Sequence, residues 1–406
     1  MIITLISNMS NMNKICIIGV GFVGEHLLTN FNRHYNVVGV DLSSKRVFFL
    51  KSKYKTKTKN ISFQSSYDNL QDCNVFLVSV PTLVTKEREI DVSCLHSVRD
   101  SLRSIVKPGS LIMIESSVYV GATRELFGEF LERGVYVGFS PERVDPGRVE
   151  PPMHQIPKVI SGLNESSLQV CKNIYEKVFD KVVPVSSSEC AEMCKLYENC
   201  FRMINIAYVN EISDMCENIG IDTYEMINAS NTKPFGFMPF YPGIGVGGHC
   251  IPVNPYYLFK TGNLPVLEYA TELMNRRPEQ KADEIVSKYD CKNILLTGIG
   301  FKKGEVLLTN SPGYELYKQL KSLGKSVTVY DPIVQDAHMT DDIVFCSRNQ
   351  FTLENLHDKY DLILVNLKLD LNEEFILNKY EIFVVFMFVS FIFASICSGT
   401  TTCNVP

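Results

Sequence analysis

Cys250 is the side chain in this sequence best placed for covalent chemistry. It lies in the stretch Phe240-Tyr-Pro-Gly-Ile-Gly-Val-Gly-Gly-His-Cys-Ile-Pro-Val-Asn-Pro-Tyr257, beside Gly243, Gly245, Gly247 and Gly248 and between Pro242 and Pro252. Glycines at this density let the backbone approach a ligand closely and adopt φ > 0. Prolines fix the direction of the approach. A thiol held this way is offered to a small molecule in one geometry; the plain alternative is a buried thiol acting as a small hydrophobe. Lys195 and Asn199 are spaced i, i+4 and so share one helical face. Glu142 follows an apolar run, Val135-Tyr-Val-Gly-Phe139, in Ser140-Pro-Glu-Arg143.

A second chemical signal opens the chain. The apolar run Lys14-Ile-Cys-Ile-Ile18 enters Gly19-Val-Gly-Phe-Val-Gly24, a helical pattern follows, and a second apolar run, Val37–Val40, ends at Asp41. This is the dinucleotide fingerprint in its confirming context. Gly19 makes the tight turn, Gly21 admits a pyrophosphate and Gly24 allows close helix–strand packing, while the amides of Val20, Phe22 and Val23 line the helix start. A carboxylate at Asp41 suits ribose hydroxyls and repels a 2′-phosphate, which selects NAD over NADP.

These groups need a scaffold. The chain has 406 residues, enough for two or three domains. Its net charge of −5 gives no basic footprint for nucleic acid. Thirteen cysteines without CxxC pairs fit a reducing, cytoplasmic setting better than a disulfide framework or a zinc site. Apolar runs at 74–80, 110–115 and 135–139 each end in polar residues: Val80-Pro-Thr82, Ser116-Ser117 and Ser140. In open parallel sheets that edge holds ligands. Alternating strands and helices over 14–185 predict a doubly wound parallel sheet. Lys51, Lys53, Lys55, Lys57 and Lys59 read as a solvated loop. Glu189–Ile219 reads as one long helix ending at Gly220, a connector with a dimer-forming surface. Asp222–Asn231 predicts another helix, and helix resumes at Asn254–Tyr257 and over Leu264–Tyr289. A smaller α/β unit follows, with strands at Asn293–Gly298, Lys325–Tyr330 and Tyr360–Asn366. Residues 382–397 are apolar and uncharged, slightly short of the roughly 20 residues that span a bilayer. They suit either a tail anchor or a buried strand.

From Lys14 to Asn366 the sequence resembles the UDP-glucose/GDP-mannose dehydrogenase family. The motifs are Gly19–Gly24, Val80-Pro-Thr82, Glu115-Ser-Ser-Val118, Ser140-Pro-Glu142, Lys195-x-x-x-Asn199, Gly247-Gly-His-Cys250 and Phe301-Lys302. The pattern through Cys250 is most similar to the branch acting on UDP-N-acetylhexosamines. The resemblance implies an NAD-binding Rossmann-type domain (12–187), a central helical dimerisation domain carrying the cysteine loop (188–285), a UDP-sugar-binding α/β domain (286–380) and an atypical tail (381–406). It implies oxidation of a nucleotide sugar at C6 to the carboxylate with two NAD and no metal, by a homodimer or higher homo-oligomer. Cys250 would carry a thiohemiacetal and then a thioester, Glu142 would activate water, Lys195 would stabilise the oxyanion and Asn199 would support it. Ser117 would stand beside the nicotinamide and Arg46 beside the adenosine ribose, with Val80, Pro81 and Thr82 against the cofactor. Tyr241, Gly243, Gly245, Gly247, Phe301 and Lys302, with Lys195 and Asn199, would hold the substrate. Two departures stand out. Asn254 replaces a familial aspartate, and Thr309 an arginine. UDP-glucose or GDP-mannose oxidation, and a catalytically impaired nucleotide-sugar binder, remain the alternative readings.

Overall fold

The computed structural model describes residues 13–367 and 383–386, apart from 56–59, 86, 145–149, 338–342, 348–350, 352–355 and 357–358. The chain divides into two compact units. The first runs to Phe201 and takes in His249–Glu268; the second comprises Arg202–Gly248 and resumes at Tyr269.

The first unit carries β1 (Lys14–Ile18), β2 (Asn36–Val40), β3 (Ile61–Gln64), β4 (Val75–Val78), the small hairpin β5 (Leu83–Val84) and β6 (Ile90–Asp91), then β7 (Leu111–Ile114), β8 (Tyr136–Phe139), β9 (Lys158–Gly162) and β10 (Val182–Pro184). All but the hairpin form one sheet in the order β10-β9-β8-β7-β4-β1-β2-β3. Every residue of β4 and β7 is buried, so these strands are apolar on both faces. Helices cover the sheet. Leu27, Leu28 and Phe31 from the helix Phe22–Phe31 pack with Tyr175 against Ile15 and Ile17.

The sheet is parallel, as the alternation predicts, up to β8. There β9 reverses and pairs antiparallel, Gly138 opposite Gly162 and Phe139 opposite Ser161, and β10 follows β9 in parallel. The reversal places the start of β9 at the carboxyl ends of β7 and β8. Lys158 therefore arrives where Glu115 and Glu142 leave their strands.

One expectation is corrected here. Lys51 and Lys53 lie in a helix, Ser44–Tyr54, and not in a loop. Ser43 caps it by accepting the Arg46 amide, Val47 and Leu50 bury its inner face, and Lys53 pairs with Glu25 at 2.6 Å. Lys57 and Lys59 lie outside the described residues.

The long helix, Ser188–Ile219, ends at Gly220, whose φ of +71° closes it. In the second unit, β11 (Asn293–Thr297), β12 (Ser326–Tyr330), β13 (Leu362–Val365) and β14 (Phe383–Phe386) form a parallel sheet ordered β12-β11-β13-β14. Part of the apolar tail is thus a strand. Among the described residues no helix is long and apolar enough to cross a membrane.

Candidate active site

The turn after β1 has three glycines with three different duties. Gly19 has φ +84°, and a Cβ there would meet the Ser79 carbonyl oxygen at 2.6 Å. At Gly24 a Cβ would stand 2.0 Å from the Gly19 carbonyl oxygen, so only glycine lets the helix approach its strand this closely. A Cβ at Gly21 would meet nothing within 4 Å. That is the open side of the turn, where a pyrophosphate has room. Asp41 accepts the Val20 amide on Oδ2 at 3.1 Å and the Ser43 amide on Oδ1 at 2.9 Å, yet stays half-exposed. Arg46 donates from Nε to the Val20 carbonyl at 2.7 Å and pairs with Glu25 at 2.6 Å. Val20 is buried, whereas Phe22 is exposed and Val23 half-buried, with Phe22 edge-on to His26. An open glycine, a helix start and an accessible carboxylate fit a dinucleotide.

The carboxyl edge of the sheet is stitched by hydroxyls. Ser79 donates to the Gly19 carbonyl at 2.7 Å, Ser116 to the Val80 carbonyl at 2.8 Å, and Thr82 to the Ser117 carbonyl at 2.6 Å. These bonds hold the ends of β1, β4 and β7 together, leaving Val80, Thr82 and Ser117 half-buried and Pro81 exposed.

The other candidates form one connected chain. Lys195 Nζ donates to the Glu142 backbone carbonyl at 2.5 Å. One helical turn later, buried Asn199 donates through Nδ2 to Asn254 Oδ1. The Asn254 amide donates to the Cys250 carbonyl at 2.9 Å. Cys250 itself is half-buried, in the turn that opens the helix Asn254–Phe259. Asn254 is 1% exposed, and its amide oxygen performs the accepting role that a carboxylate would. Next to this chain Tyr257 is buried, and burial pushes its pKa up to about 12. The sequence gives no hint of that buried phenol.

Glu142 is tightly held. Oε1 accepts the amides of Arg143 at 2.7 Å and Val144 at 2.6 Å, and Oε2 faces Lys158 Nζ at 3.2 Å. Burial works against its charge, but Lys158 and the two amides outweigh it and hold the carboxyl below its ordinary range. Lys158 also reaches Glu115 Oε2 at 2.6 Å, and Tyr175 donates to Glu115 Oε1. Burial drives Glu115 the other way, up to about 7. Lys158 and Tyr175 escape a sequence reading because a lysine opening a strand and a tyrosine ending a helix ordinarily look solvated.

In the second unit the glycine loop is shaped by its own neighbours. The Gly243 amide donates to Asn210 Oδ1 at 2.8 Å, and its carbonyl accepts from Arg277 Nε at 2.7 Å, so both of its polar groups are already engaged. Arg277, unremarkable in the sequence, is buried and grips Asp214 with both terminal nitrogens at 2.7 and 2.9 Å. Gly245 lies against Met274 and Pro312. A Cβ at Gly247 would stand 2.3 Å from Phe301 Cβ, and one at Gly248 2.9 Å from the Phe301 ring. Asn310 donates to the Gly248 carbonyl at 3.2 Å. These glycines admit Phe301 and Pro312, a packing reason the sequence did not reveal. Tyr241 donates to Asn228 at 3.3 Å, Lys302 is half-buried and Thr309 is exposed.

Comparisons with known proteins agree with this arrangement. The UDP-glucose/GDP-mannose dehydrogenase family, NAD binding domain, matches residues 13–179, and the central domain of the same family matches residues 189–276. A UDP-N-acetyl-D-mannosamine dehydrogenase of Methanococcus maripaludis is 31% identical over 79% of this chain and 80% of the relative. A UDP-N-acetyl-D-glucosamine 6-dehydrogenase of Pseudomonas aeruginosa is also 31% identical, over 79% of this chain and 83% of the relative. The solved structure of a UDP-D-ManNAc dehydrogenase from Pyrococcus horikoshii matches with a TM-score of 0.76 and 25% identity, over 87% of this chain and 88% of that one.

Proposed function

The chain belongs to the UDP-glucose/GDP-mannose dehydrogenase family and is an NAD-dependent nucleotide-sugar dehydrogenase; from that premise we propose that it oxidises C6 of a UDP-N-acetylhexosamine, the glucosamine or mannosamine form, to the carboxylate. The observation that carries this reading is the continuous linkage Glu142–Lys195–Asn199–Asn254–Cys250. NAD, when bound, takes up one hydride in each of two oxidations. The open Gly21 turn would receive its pyrophosphate and Asp41 its ribose, with Arg46 keeping the turn in shape. Cys250 Sγ attacks the C6 aldehyde to give a thiohemiacetal, and the second oxidation leaves a thioester for water to hydrolyse. The Lys195 ammonium stabilises the oxyanion at C6. Asn199 fixes Asn254 and hence the turn that carries Cys250, and Glu142 takes a proton from the attacking water. Ser117, held to Thr82, would border the nicotinamide. Tyr241, Phe301 and Lys302 contact the nucleotide sugar, with Gly243, Gly245 and Gly247 shaping the loop that carries them.

The test is NADH yield with UDP-GlcNAc, UDP-ManNAc, UDP-glucose and GDP-mannose side by side. Two NADH per sugar are expected from a UDP-N-acetylhexosamine, and Cys250→Ser removes that full yield. Binding of all four sugars without NADH would overturn the proposal. Asn254 favours one second reading, a binder with impaired turnover, because an amide cannot take up a proton as a carboxylate can. Asn254→Asp keeps the bond from Asn199. A rise in kcat of about tenfold or more on that substitution supports impairment; an unchanged rate means that asparagine is native to the site.

A cytoplasmic setting keeps thiols such as Cys250 reduced. A homodimer is supported by one apolar stripe on the long helix, where Tyr197, Tyr208 and Met215 are 67%, 62% and 50% exposed.

A further inference from the structure

Lys158 sits where burial and charge conflict most. Its side chain is 3% exposed, between a Glu115 side chain with 0% exposure and a Glu142 side chain with 9%. The ammonium has three protons and three acceptors: Glu115 Oε2 at 2.6 Å, Glu142 Oε2 at 3.2 Å and the Pro141 carbonyl at 3.2 Å. Tyr175 donates to the other Glu115 oxygen, and the amides of Arg143 and Val144 fill Glu142 Oε1. The Cys171 thiol, on the same helix as Tyr175, is a further titratable group facing Glu115. Two carboxylates and one ammonium leave the trio with one uncompensated negative charge in a water-poor place, where such a charge costs free energy. One added proton makes it neutral.

We propose that Lys158 and Glu115 join Glu142 in a buried proton-accepting unit that serves hydrolysis of the Cys250 thioester, Lys158 as the positioning residue and Glu115 as the proton store. The proposal rests on the reading of Cys250 given above. As water forms its bond to C6, its proton passes to Glu142. The C6–S bond then breaks, and its electron pair returns to Sγ. Glu142 gives the proton to Lys158 while Lys158 gives one of its own to Glu115, so Glu142 is a carboxylate again and the trio is neutral. Between turnovers the proton leaves by the reverse route through Glu142, the most exposed of the three. The opposed directions of the two carboxyls, Glu142 held down and Glu115 raised to about 7, match donor and store.

The experiment follows a single turnover with NAD and the UDP-N-acetylhexosamine that the wild-type enzyme oxidises. In Lys158→Met, two NADH per active site form in a burst, steady-state turnover falls about 100-fold, and intact mass reveals an acyl adduct on Cys250. Lys158→Arg restores part of the hydrolysis, since a cation again faces Glu142. In Glu115→Gln turnover falls and the acid limb of the kcat–pH profile, set in the wild type by the need for a vacant Glu115 near pH 7, moves to the lower pH at which Glu142 titrates. Thermal melting and NAD binding confirm that each variant is folded. Should the single variants fail to fold, the double variant Glu115→Gln/Lys158→Gln leaves Glu142 as the one charged member, still held by the Arg143 and Val144 amides, and is expected to accumulate the same adduct. Folded variants with wild-type hydrolysis and a wild-type pH profile overturn the trio. A wild-type enzyme that makes no NADH, or forms no Cys250 adduct, overturns the proposed function instead.

Discussion

The turn after β1 and the turn after β11 solve one problem with the same parts. Gly19 and Gly298 have φ of +84° and +75°, and their amides donate to the last residues of the neighbouring strands, Val40 at 2.8 Å and Tyr330 at 2.9 Å. Asp41 accepts the Val20 amide at 3.1 Å, and Asp331 accepts the Ile299 amide at 3.1 Å. Ser79 bonds the Gly19 carbonyl and Asn366 the Gly298 carbonyl, both at 2.7 Å. Gly24 and Gly313 each let a helix press on its turn. The difference lies in the connection. Residues 19–21 alone join β1 to its helix, whereas residues 298–311 separate β11 from Pro312–Ser322. The short connection leaves Gly21 open and Asp41 half-exposed. The long one carries Phe301 and Lys302 and leaves Asp331 only 3% exposed. One turn stays open over Gly21, where a dinucleotide has room; the other is filled by the side chains of its insert.

The sharpest way to break this comparison is Gly24→Ala set against Gly313→Ala. The first places Cβ 2.0 Å from a carbonyl oxygen and is expected to abolish NAD binding, with overpacking of about 3 kcal/mol or more. The second meets Ile299 and Asn366 at 2.7 and 2.6 Å and is expected to lower Tm while leaving NAD titration intact. Equal loss of NAD binding in both would show that the two turns are not independent. Asp41→Asn should weaken NAD binding roughly tenfold or more by calorimetry, whereas Asp331→Asn should lower Tm by several degrees with NAD affinity unchanged. Gly21→Ala is a finer probe. Its Cβ meets no protein atom, so Tm stays within about 1 °C while KM for NAD rises.

The smallest effect is on pH-dependent stability, and it belongs to the first unit. Glu115 is raised to about 7 in the folded chain, so the native state binds a proton that the unfolded chain has lost. Its contribution therefore falls as pH rises from the ordinary carboxylate range through about 7. Glu142, shifted downward, keeps its full contribution across that window and loses it only at lower pH. Melting at pH 5 and pH 8 should show a shallower decline in Glu115→Gln than in the wild type.

Much of the first turn was legible in the sequence because its geometry demands particular residue types. Only glycine meets the contacts at Gly19 and Gly24, and only a carboxylate suits Asp41. The shared helical face of Lys195 and Asn199 was legible through their spacing, and the density of glycine and proline marked the turn that carries Cys250. The Lys158 cluster was not, because it depends on the reversal of β9, and strand direction leaves no mark in Lys158-Val-Ile-Ser-Gly162. Nor was the second turn, since its counterpart to Gly24 lies beyond the insert at Gly313. The lysine run misled because alternating charge hid Val47 and Leu50, spaced for a helix.

The strand Phe383–Phe386 has a practical consequence for anyone shortening this chain. It lies at the border of the second sheet, paired in register along all of Leu362–Val365. A version ending before Phe383 strips that pairing and leaves β13, whose four residues are all buried, with the backbone donors and acceptors of one side bare. Such a border recruits any extended segment it meets, including the same strand of another molecule. Trimming the apolar end to improve solubility would therefore promote self-association, and a cut placed after Phe386 is the safer choice.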